Sequence, residues 1–361
     1  MDAARSFSQT YAEARDKFRA AADRAGLDVE SHVHPMLGRD GETLAMDVAR
    51  DGPKDARALY IVSSACHGVE GFCGSGVQVA MLEDAHWQRE AHASGVAVLY
   101  VHGLNPYGFS WWRRTTHENV DLNRNFRDFT REAPRNVDYD TLAALIVPPT
   151  WPPSDDVAAA LDRFTAERGE RALQQAMSGG QYHHPEGLFY GGAGPTWSHV
   201  TVRHVLQDHG RRCARLAWID LHTGLGPSGH GERIYAGYDD AATIARARAW
   251  WGDVTSIYDG SSTSALLTGM MFAAAYEECP QAQYTGIALE YGTLPQREVM
   301  AALRADQWLE NHPEAPAEQR RAIKQQVRDA FYVDTDAWKA QILEQAFDAS
   351  RSALRGLSGR A

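Results

Sequence analysis

The chain has 361 residues, of which 44% are hydrophobic and 23% charged, and 36 Lys and Arg against 47 Asp and Glu give a net charge of −11. This composition is typical of a globular chain and excludes a mainly disordered, collagen-like or low-complexity protein. The acidity disfavours a general binder of nucleic acid or of anionic membranes, and no uncharged apolar run approaches the roughly 20 residues of a membrane span.

The cysteines and the N-terminal segment indicate an intracellular protein. Four cysteines in a chain this long are too few for a disulfide scaffold, and no CxxC motif signals a thiolate zinc cluster. Residues 1–26 mix both charge signs and lack the apolar core of a targeting peptide. They predict a surface helix with Phe7, Tyr11 and Phe18 on one stripe, ending at Gly26. We therefore expect a cytoplasmic protein.

Strand-like and helix-like segments alternate along the rest of the chain. Short apolar, β-branched runs predict buried strands at 58–63, 96–101, 216–221 and 286–289. Helical periods are found at 76–91, 196–208, 239–251, 295–311 and 316–331, and from about residue 336. The pattern predicts an α/β fold with a mixed, mostly parallel twisted sheet flanked by helices on both faces.

Two segments interrupt this alternation and predict long surface loops. Residues 134–156 contain PPTWPP, which is incompatible with a helix or an inner strand, and residues 178–195 are rich in Gly, His and Tyr. Loops of this length in a compact unit usually form functional rims or are disordered.

A first pair of candidate metal ligands follows the strand at 58–63. His67 and Glu70 are three residues apart, so both side chains can turn toward one ion, and imidazole nitrogen and carboxylate oxygen are ligands of hydrolytic zinc. The chain holds a second HxxE pair, His183 and Glu186, which lies in a loop with no strand before it. The strand context favours His67 and Glu70.

Two later strands end in further candidates. His222 closes the run 216–221 in IDLHTG, and ligand sites of open parallel sheets lie beyond the carboxyl ends of the strands. The alternative is a buried histidine that bonds to backbone. Glu290 follows the run 286–289 in ALEYG, and a carboxylate there is either a general base near a metal or a helix-capping group.

An arginine-rich stretch lies between these motifs. The segment 105–126 reads NPYGF, then WWRR, then NVDLNRNF, and places three arginines in twelve residues of an acidic chain. Arginine offers a bidentate fork to a carboxylate, and asparagine can add an amide beside it. The stretch indicates a pocket for an anion, and the alternative is a loop with solvated arginines.

The four motifs HGVEG, NPYGF…WWRR…NVDLNRNF, IDLHTG and LEYG resemble, in order and rough spacing, those of the zinc carboxypeptidase superfamily, the M14-like metallopeptidases. Within it the chain is most similar to the bacterial DUF2817 branch, over about residues 55–300. The resemblance implies an α/β fold with one zinc ion per chain. It implies that His67, Glu70 and His222 bind this zinc and that Glu290 is the general base and proton shuttle.

The resemblance also assigns roles to the arginine-rich stretch. It implies that Arg113 polarises the scissile carbonyl and stabilises the oxyanion, and that Asn123 and Arg124 hold the terminal carboxylate of the substrate. Asp121 matches the carboxylate that orients the first zinc histidine. If residues 121–123 are extended, Asp121 and Asn123 point the same way.

One feature departs from the superfamily pattern. Pancreatic-type members carry a mobile tyrosine before the catalytic glutamate, whereas the corresponding residues 264–269 read SALLTG. Tyr258, Tyr276 and Tyr284 remain candidates, and the residue that selects the substrate side chain is open.

These observations predict a zinc-dependent hydrolase that cleaves an amide bond next to a free carboxylate, with a small peptide as substrate. The alternative is an N-acyl amino acid amidohydrolase of the aspartoacylase or succinylglutamate desuccinylase type, because those relatives share the same motifs. A binding protein without turnover is a remote alternative, since every catalytic candidate is present. A nuclease or phosphoesterase would call for a carboxylate-rich cluster.

The site candidates also change the expected domain organisation. Length alone suggests about two domains, but residues from His67 to Glu290 must converge on one site. We expect a single catalytic domain over 1–361 with a core at about 55–300, an N-terminal helix and C-terminal helices at about 316–355. The oligomeric state is not predicted.

Overall fold

An eight-stranded sheet forms the centre of the computed structural model, which describes residues 3–359. Its strands are β1 (Val29–Leu37), β2 (Thr43–Asp51), β3 (Ala58–Ser64), β4 (Ala97–His102), β5 (Arg215–Ser228), β6 (Gly231–Tyr235), β7 (Val254–Thr255) and β8 (Gln283–Gly292). Their order in the sheet is β1-β2-β4-β3-β5-β8-β6-β7. The four central strands β4, β3, β5 and β8 run parallel, whereas β2 and β6 flank them antiparallel. The expected mixed, mostly parallel sheet is confirmed.

Thirteen α-helices lie in the described residues. They are α1 (Tyr11–Arg24), α2 (Gly71–Glu83), α3 (Ala85–Ser94), α4 (Pro106–Trp111), α5 (Val137–Ile146), α6 (Asp155–Arg168), α7 (Glu170–Ser178), α8 (Trp197–His209), α9 (Ala241–Trp251), α10 (Ala273–Glu278), α11 (Gln296–Asn311), α12 (Ala317–Phe331) and α13 (Asp336–Ser358). Three short 3-10 turns lie at Ala3–Ser6, Gly68–Glu70 and Leu122–Arg124.

Helices cover both faces of the sheet because side chains alternate along each buried strand. In β3, Tyr60 and Val62 join an apolar cluster with α1, α2 and α13, and Leu59 and Ile61 join a second one with α8 and α10. Both faces of the central strands are therefore buried, which explains why these strands are continuous apolar runs in the sequence. The predicted arrangement of helices on both faces is confirmed.

The predicted helix at 76–91 is two helices. Asp84 ends α2, and its carboxylate accepts hydrogen bonds from the backbone N–H groups of His86 and Trp87, which begins α3. A side chain that caps the new helix competes with continuation of the old one. The periodicity of the segment was correct, but the capping residue splits it.

The terminal helices pack on the sheet. Helix α1 contacts α2, and α13 lies against α2, β3 and β5. Residues 1–2 of the expected N-terminal helix and residues 360–361 lie outside the described residues. The single-domain organisation stays a prediction, and the packing of α1 and α13 favours it. No helix between residues 3 and 359 combines the length and the apolar character that crossing a membrane would require.

Candidate metal centre and active site

The turn after β3 brings His67 and Glu70 to one point. The chain leaves the strand at Ser64 and passes through the 3-10 turn Gly68–Glu70 into α2. A Cβ atom on Gly68 would lie 2.1 Å from the backbone of Gly108, so only glycine fits this close approach. The turn leaves His67 Nδ1 3.0 Å from Glu70 Oε1.

His222 joins this pair from the neighbouring strand. Strands β3 and β5 are parallel, with Ser64 level with Leu221, so their carboxyl ends meet at one edge of the sheet. His222 Nδ1 lies 3.1 Å from His67 Nδ1 and 3.0 Å from Glu70 Oε2. The three residues that the sequence proposed as ligands therefore converge, and all three are buried.

The donor set suits a zinc ion. Nitrogen and oxygen ligands at the usual ~2.0–2.1 Å from a tetrahedral zinc are separated by about 3.3 Å, close to the spacing found. The far nitrogen of each imidazole faces a carboxylate, with His222 Nε2 2.6 Å from Asp220 Oδ2 and His67 Nε2 3.3 Å from Asp121 Oδ1. Such carboxylates leave the near nitrogens free to bind a metal.

The local charge also favours a cation. Burial by itself lowers the pKa of His222, but Asp220 and Glu70 raise it well above the ordinary value. Burial would raise the pKa of Glu70, but His67 and His222 lower it, so Glu70 is held as a carboxylate. Positive charge between these side chains is thus strongly stabilised.

A second triad of possible ligands overlaps the first. Within residues 3–359, Cys66, Asp220 and His222 also bring donor atoms within 4.8 Å of one another. Burial raises the pKa of the Cys66 thiol well above its ordinary value, which disfavours the thiolate that would bind a metal. Asp220 already accepts from His222 and from Ser63 Oγ, which lies 2.5 Å away. The triad of His67, Glu70 and His222 is the better candidate for a metal site.

Asp220 is a site residue that the sequence reasoning missed. It lies two positions before His222 in β5, and alternate residues of a strand share a face. The sequence signal was present, because a D-x-H pattern in a strand places the carboxylate beside the imidazole.

Glu290 lies on β8 next to His67, Glu70 and His222, the three candidate ligands that we call the metal triad. It pairs with His222 across the two parallel strands, and its Oε1 accepts a hydrogen bond from the Leu225 N–H at 3.0 Å. Burial and the nearby Glu70 raise the pKa of Glu290 to about 7. A carboxyl group with this pKa can exchange a proton near neutral pH.

The two arginines of the WWRR motif point to different places. Arg114 donates from Nε to Asp121 and from Nη1 to Glu70, at 2.9 and 3.2 Å, and its Nη2 lies 2.8 Å from His67 Nε2. It lines the cavity at the metal triad. Arg113 binds Asp306 instead and is not among the cavity-lining residues in the described part of the chain.

The expected carbonyl-polarising role of Arg113 is therefore corrected. The physical reason is the different partners of the two side chains, since Arg113 is held by Asp306 on α11 whereas Arg114 is held by Asp121 and Glu70 at the cavity. Arg114, one residue later, lies at the cavity where Arg113 was expected.

Asn123 and Arg124 both line the cavity, as expected for a carboxylate site. The Asn123 amide oxygen accepts from the Met271 N–H at 2.9 Å, which leaves its Nδ2 group available to a ligand. Arg124 donates to the backbone oxygens of Asn123 and Ser178, and its Nε is buried without a hydrogen-bond partner among the described residues. Burial lowers the pKa of Arg124 despite the nearby Asp121, so an anion there would be stabilised.

The expectation that Asp121 and Asn123 point the same way assumed an extended backbone at residues 121–123. The backbone there is not extended. Leu122–Arg124 is a 3-10 turn, and the Asp121 carboxylate caps it by accepting from the Asn123 N–H. The cap explains why Asp121 turns inward to His67 while Asn123 reaches the cavity wall.

The cavity has a polar and an apolar part. All of its lining side chains that can carry charge belong to the site described above, and the remainder of the wall is apolar or uncharged. The apolar part includes Trp218, Ile234, Ile257, Tyr284 and Ala288.

The loop at 178–195 reaches the cavity and the loop at 134–156 does not. Phe189 lines the cavity and lies 5.1 Å from the Arg114 guanidinium, whereas none of the described lining residues comes from 134–156. That segment also contains α5, so it is not wholly irregular. Of the three candidate tyrosines, Tyr284 lines the cavity, whereas the Tyr258 hydroxyl donates to the Gly237 carbonyl.

The family assignment follows from comparison with known sequences. The sequence model of the family described as "Protein of unknown function (DUF2817)" matches residues 7–345, most of the chain. The chain belongs to the DUF2817 family. A search of curated proteins found no match.

Solved structures show the fold of this DUF2817 chain to be that of carboxypeptidases. Carboxypeptidase A from Helicoverpa armigera matches with a TM-score of 0.51 and 13% identity, over 98% of this chain and 74% of that one. Bovine thrombin-activatable fibrinolysis inhibitor, solved with a tick carboxypeptidase inhibitor, matches with a TM-score of 0.54 and 10% identity, over 99% of both chains. At such identities the likeness establishes the fold alone, and the chemistry depends on the residues of this chain.

Proposed function

We propose that this protein is a zinc-dependent hydrolase that cleaves an amide bond next to a free carboxylate, as carboxypeptidases do. The observation that carries the proposal is the convergence of His67, Glu70 and His222 within 3.0–3.1 Å, beside Glu290 in the same cavity. A zinc ion held there would polarise the scissile carbonyl and lower the pKa of a bound water.

Glu290 supplies the proton transfer in this proposal. Its Oε1 is engaged by the Leu225 N–H, so Oε2 is the atom that takes a proton from water and delivers it to the leaving nitrogen. The pKa of about 7 suits both steps. Its position beside His222 keeps it within reach of the scissile bond.

Arg114 is the group proposed to stabilise the oxyanion. Its guanidinium is held by Asp121 and Glu70 at the metal triad, and its side chain is only 13% exposed, so weak solvent screening strengthens its interaction with a developing negative charge. Phe189 packs over the guanidinium and limits its movement.

Arg124 and Asn123 are proposed to bind the free carboxylate of the substrate. Both residues line the cavity, the Asn123 Nδ2 group is left available, and the buried Arg124 Nε has no hydrogen-bond partner among the described residues. An unpaired buried donor costs free energy that a carboxylate ligand would recover.

The apolar part of the cavity is proposed to receive the substrate side chain. Ala288 lies two residues before Glu290 on the same face of β8, its partner on β6 is Ile234, and Trp218 on β5 is level with Gly286. Asp220, the partner of Ala288 on β5, is already bonded to His222 and Ser63, so we expect apolar or aromatic residues next to the scissile bond.

The test combines metal analysis with a paired substrate screen. We expect one zinc ion per purified chain, and release of a C-terminal apolar residue from a tetrapeptide in preference to release of an acyl group from N-acyl amino acids. Absence of stoichiometric zinc would refute the proposal. Cleavage of the N-acyl series alone would favour the amidohydrolase alternative, because the shared residues serve both reactions.

A further inference from the structure

Arg113 belongs to a buried cluster of charges that is outside the catalytic cavity. Its Nε donates to Asp306 at 3.2 Å, and its Nη1 lies 3.4 Å from Glu310, both on α11. Lys324 of α12 bonds to the same two carboxylates at 2.6 and 2.9 Å. The Arg113 side chain is only 4% exposed. The cluster is therefore a buried contact between residues 111–114, which we call the WWRR loop, and helices α11 and α12.

A second arm of the cluster reaches the loop that carries Phe189. Arg113 Nη2 donates to the Asn119 Oδ1 at 3.0 Å, and Asn119 Nδ2 donates to the carbonyls of Pro185 and Gly187 at 2.7 and 3.1 Å. Two residues later Phe189 packs on the Arg114 guanidinium.

The backbone of the same loop supports the metal-ligand turn. The Arg113 carbonyl accepts from the Val69 N–H at 2.8 Å, and the Arg114 carbonyl accepts from the Gly68 N–H at 3.1 Å. Gly68 and Val69 are the two residues between His67 and Glu70. A shift of the WWRR loop would therefore move both Arg114 and the ligand turn.

We infer that Arg113 and Asp306 act as positioning residues, which hold the WWRR loop so that Arg114 and the His67–Glu70 turn keep their places. The inference rests on the proposed function for its catalytic part. The ion pairs of Arg113 with Asp306 and Glu310 connect the WWRR loop to α11. The hydrogen bonds of Asn119 connect Arg113 to the loop at 178–195. Neither Arg113 nor Asp306 contacts the substrate in this arrangement.

The first experiment needs neither metal nor substrate. Hydrogen–deuterium exchange of the metal-free protein reports directly on the Gly68 and Val69 amides, which bond to the WWRR loop. In Asp306→Asn we expect these amides to exchange at least tenfold faster than in the unmodified protein. Unchanged exchange in a folded Asp306→Asn protein would overturn the inference.

The matched control is Asp47→Asn. Asp47 forms a comparable buried pair with Arg15, at 2.7 Å between Nε and Oδ2, on α1 and β2. We expect this variant to lower the melting temperature without changing exchange at Gly68 and Val69. Equal acceleration in both variants would mean that general destabilisation, not positioning, is responsible.

The second experiment is a double-mutant cycle on turnover. With zinc present, Asp306→Asn should lower kcat about tenfold to a hundredfold with little change in KM, because Arg114 acts on the transition state. In the Arg114→Met background, Asp306→Asn should have a clearly smaller effect on kcat, because only its effect through the His67–Glu70 turn remains. Independent, multiplicative effects would overturn the inference.

A further variant keeps the test decisive if Asp306→Asn does not fold. Arg113→Lys retains the charge toward Asp306 but loses the fork that also reaches Asn119, and should show intermediate exchange and kcat. Altered exchange with no amide hydrolysis by the unmodified protein would refute the proposed function and leave the positioning role intact. Normal exchange in the variants, together with amide hydrolysis by the unmodified protein, would refute the positioning role and leave the proposed function intact.

Discussion

His222 and Glu290 are Cα partners on the adjacent parallel strands β5 and β8. The proposed ligand and the proposed base therefore lie at the same level of one rigid sheet, and neither depends on a loop for its position. This relationship allows turnover and metal binding to be separated by substitution.

Glu290→Gln should remove turnover and keep the metal. Glutamine retains the Oε1 atom that accepts from the Leu225 N–H but cannot take up a proton. We expect kcat to fall by about 10²–10⁴-fold with unchanged zinc content. Steady-state kinetics and metal analysis check this, and full activity would contradict the role of Glu290 as base.

Removal of the metal should abolish activity and lower stability. Chelation leaves Glu70 beside two imidazoles without the ion that the site favours, and zinc at 100 times its dissociation constant should restore about 2.7 kcal/mol of unfolding free energy. Thermal melts with and without zinc measure this. Magnesium is the control, because it prefers oxygen ligands; equal stabilisation by magnesium would count against a zinc site.

Asp220→Asn should weaken zinc binding without removing a ligand. Asparagine accepts the His222 Nε2–H bond less strongly than the carboxylate that lies 2.6 Å away. We expect about 10–100-fold lower zinc affinity in competition titrations. Asp51→Asn, which alters a similar pair with His92 outside the site, is the matched control and should leave affinity unchanged.

Arg124→Gln should weaken recognition of the substrate carboxylate. A charge-assisted hydrogen bond contributes about 1.5–3 kcal/mol, so kcat/KM should fall roughly tenfold to a hundredfold. The decisive comparison uses a substrate whose terminal carboxylate is replaced by a carboxamide. The unmodified protein should have a low kcat/KM for this carboxamide, and Arg124→Gln should not lower it further. An equal loss of kcat/KM on the carboxylate and carboxamide substrates would disprove the assigned role.

Stability should fall in mild acid because of His102. Burial lowers the pKa of His102 to about 4, compared with about 6.5 in the unfolded chain. The unfolded state therefore binds more protons as the pH falls from 6.5 to 4, and the unfolding free energy decreases by up to about 3 kcal/mol from this group. Urea unfolding of His102→Gln should show a shallower pH dependence.

The control for this prediction is a histidine on the surface. His86 has a side chain that is 64% exposed on α3. His86→Gln should leave the pH dependence of unfolding as it is. A similar change in both variants would show that the pH dependence of the unfolding free energy does not come from His102.

Part of the site could be predicted because its chemistry is local in sequence. His67 and Glu70 are three residues apart, and His222 and Glu290 end apolar runs that can only be buried strands. Parallel strands bring their carboxyl ends together, so the pattern allows these residues to converge, and the resemblance to the zinc carboxypeptidase motifs favours that over the alternatives left open by position alone.

Other parts depend on contacts between distant segments. Arg113 and Arg114 are chemically identical neighbours, and their roles differ because the carboxylates of α11 hold Arg113 whereas Asp121 and Glu70 hold Arg114. The partner Asp306 lies 193 residues further along the chain, beyond the reach of any local pattern. The strands β1, β2, β6 and β7 were also not predicted. The edge strands β1 and β7 lack a continuous apolar run, and charged residues interrupt β2 and β6.

The class of sheet, the four central strands and the donor types of the proposed metal site could be predicted from the amino-acid sequence, because burial and ligand chemistry are properties of residue type and period. Three features could not be predicted in this way: which arginine reaches the cavity, the support of His222 by Asp220, and the capped turn at residues 121–124. These depend on backbone dihedral angles and on long-range ion pairs, which become fixed only when the helices close over the sheet.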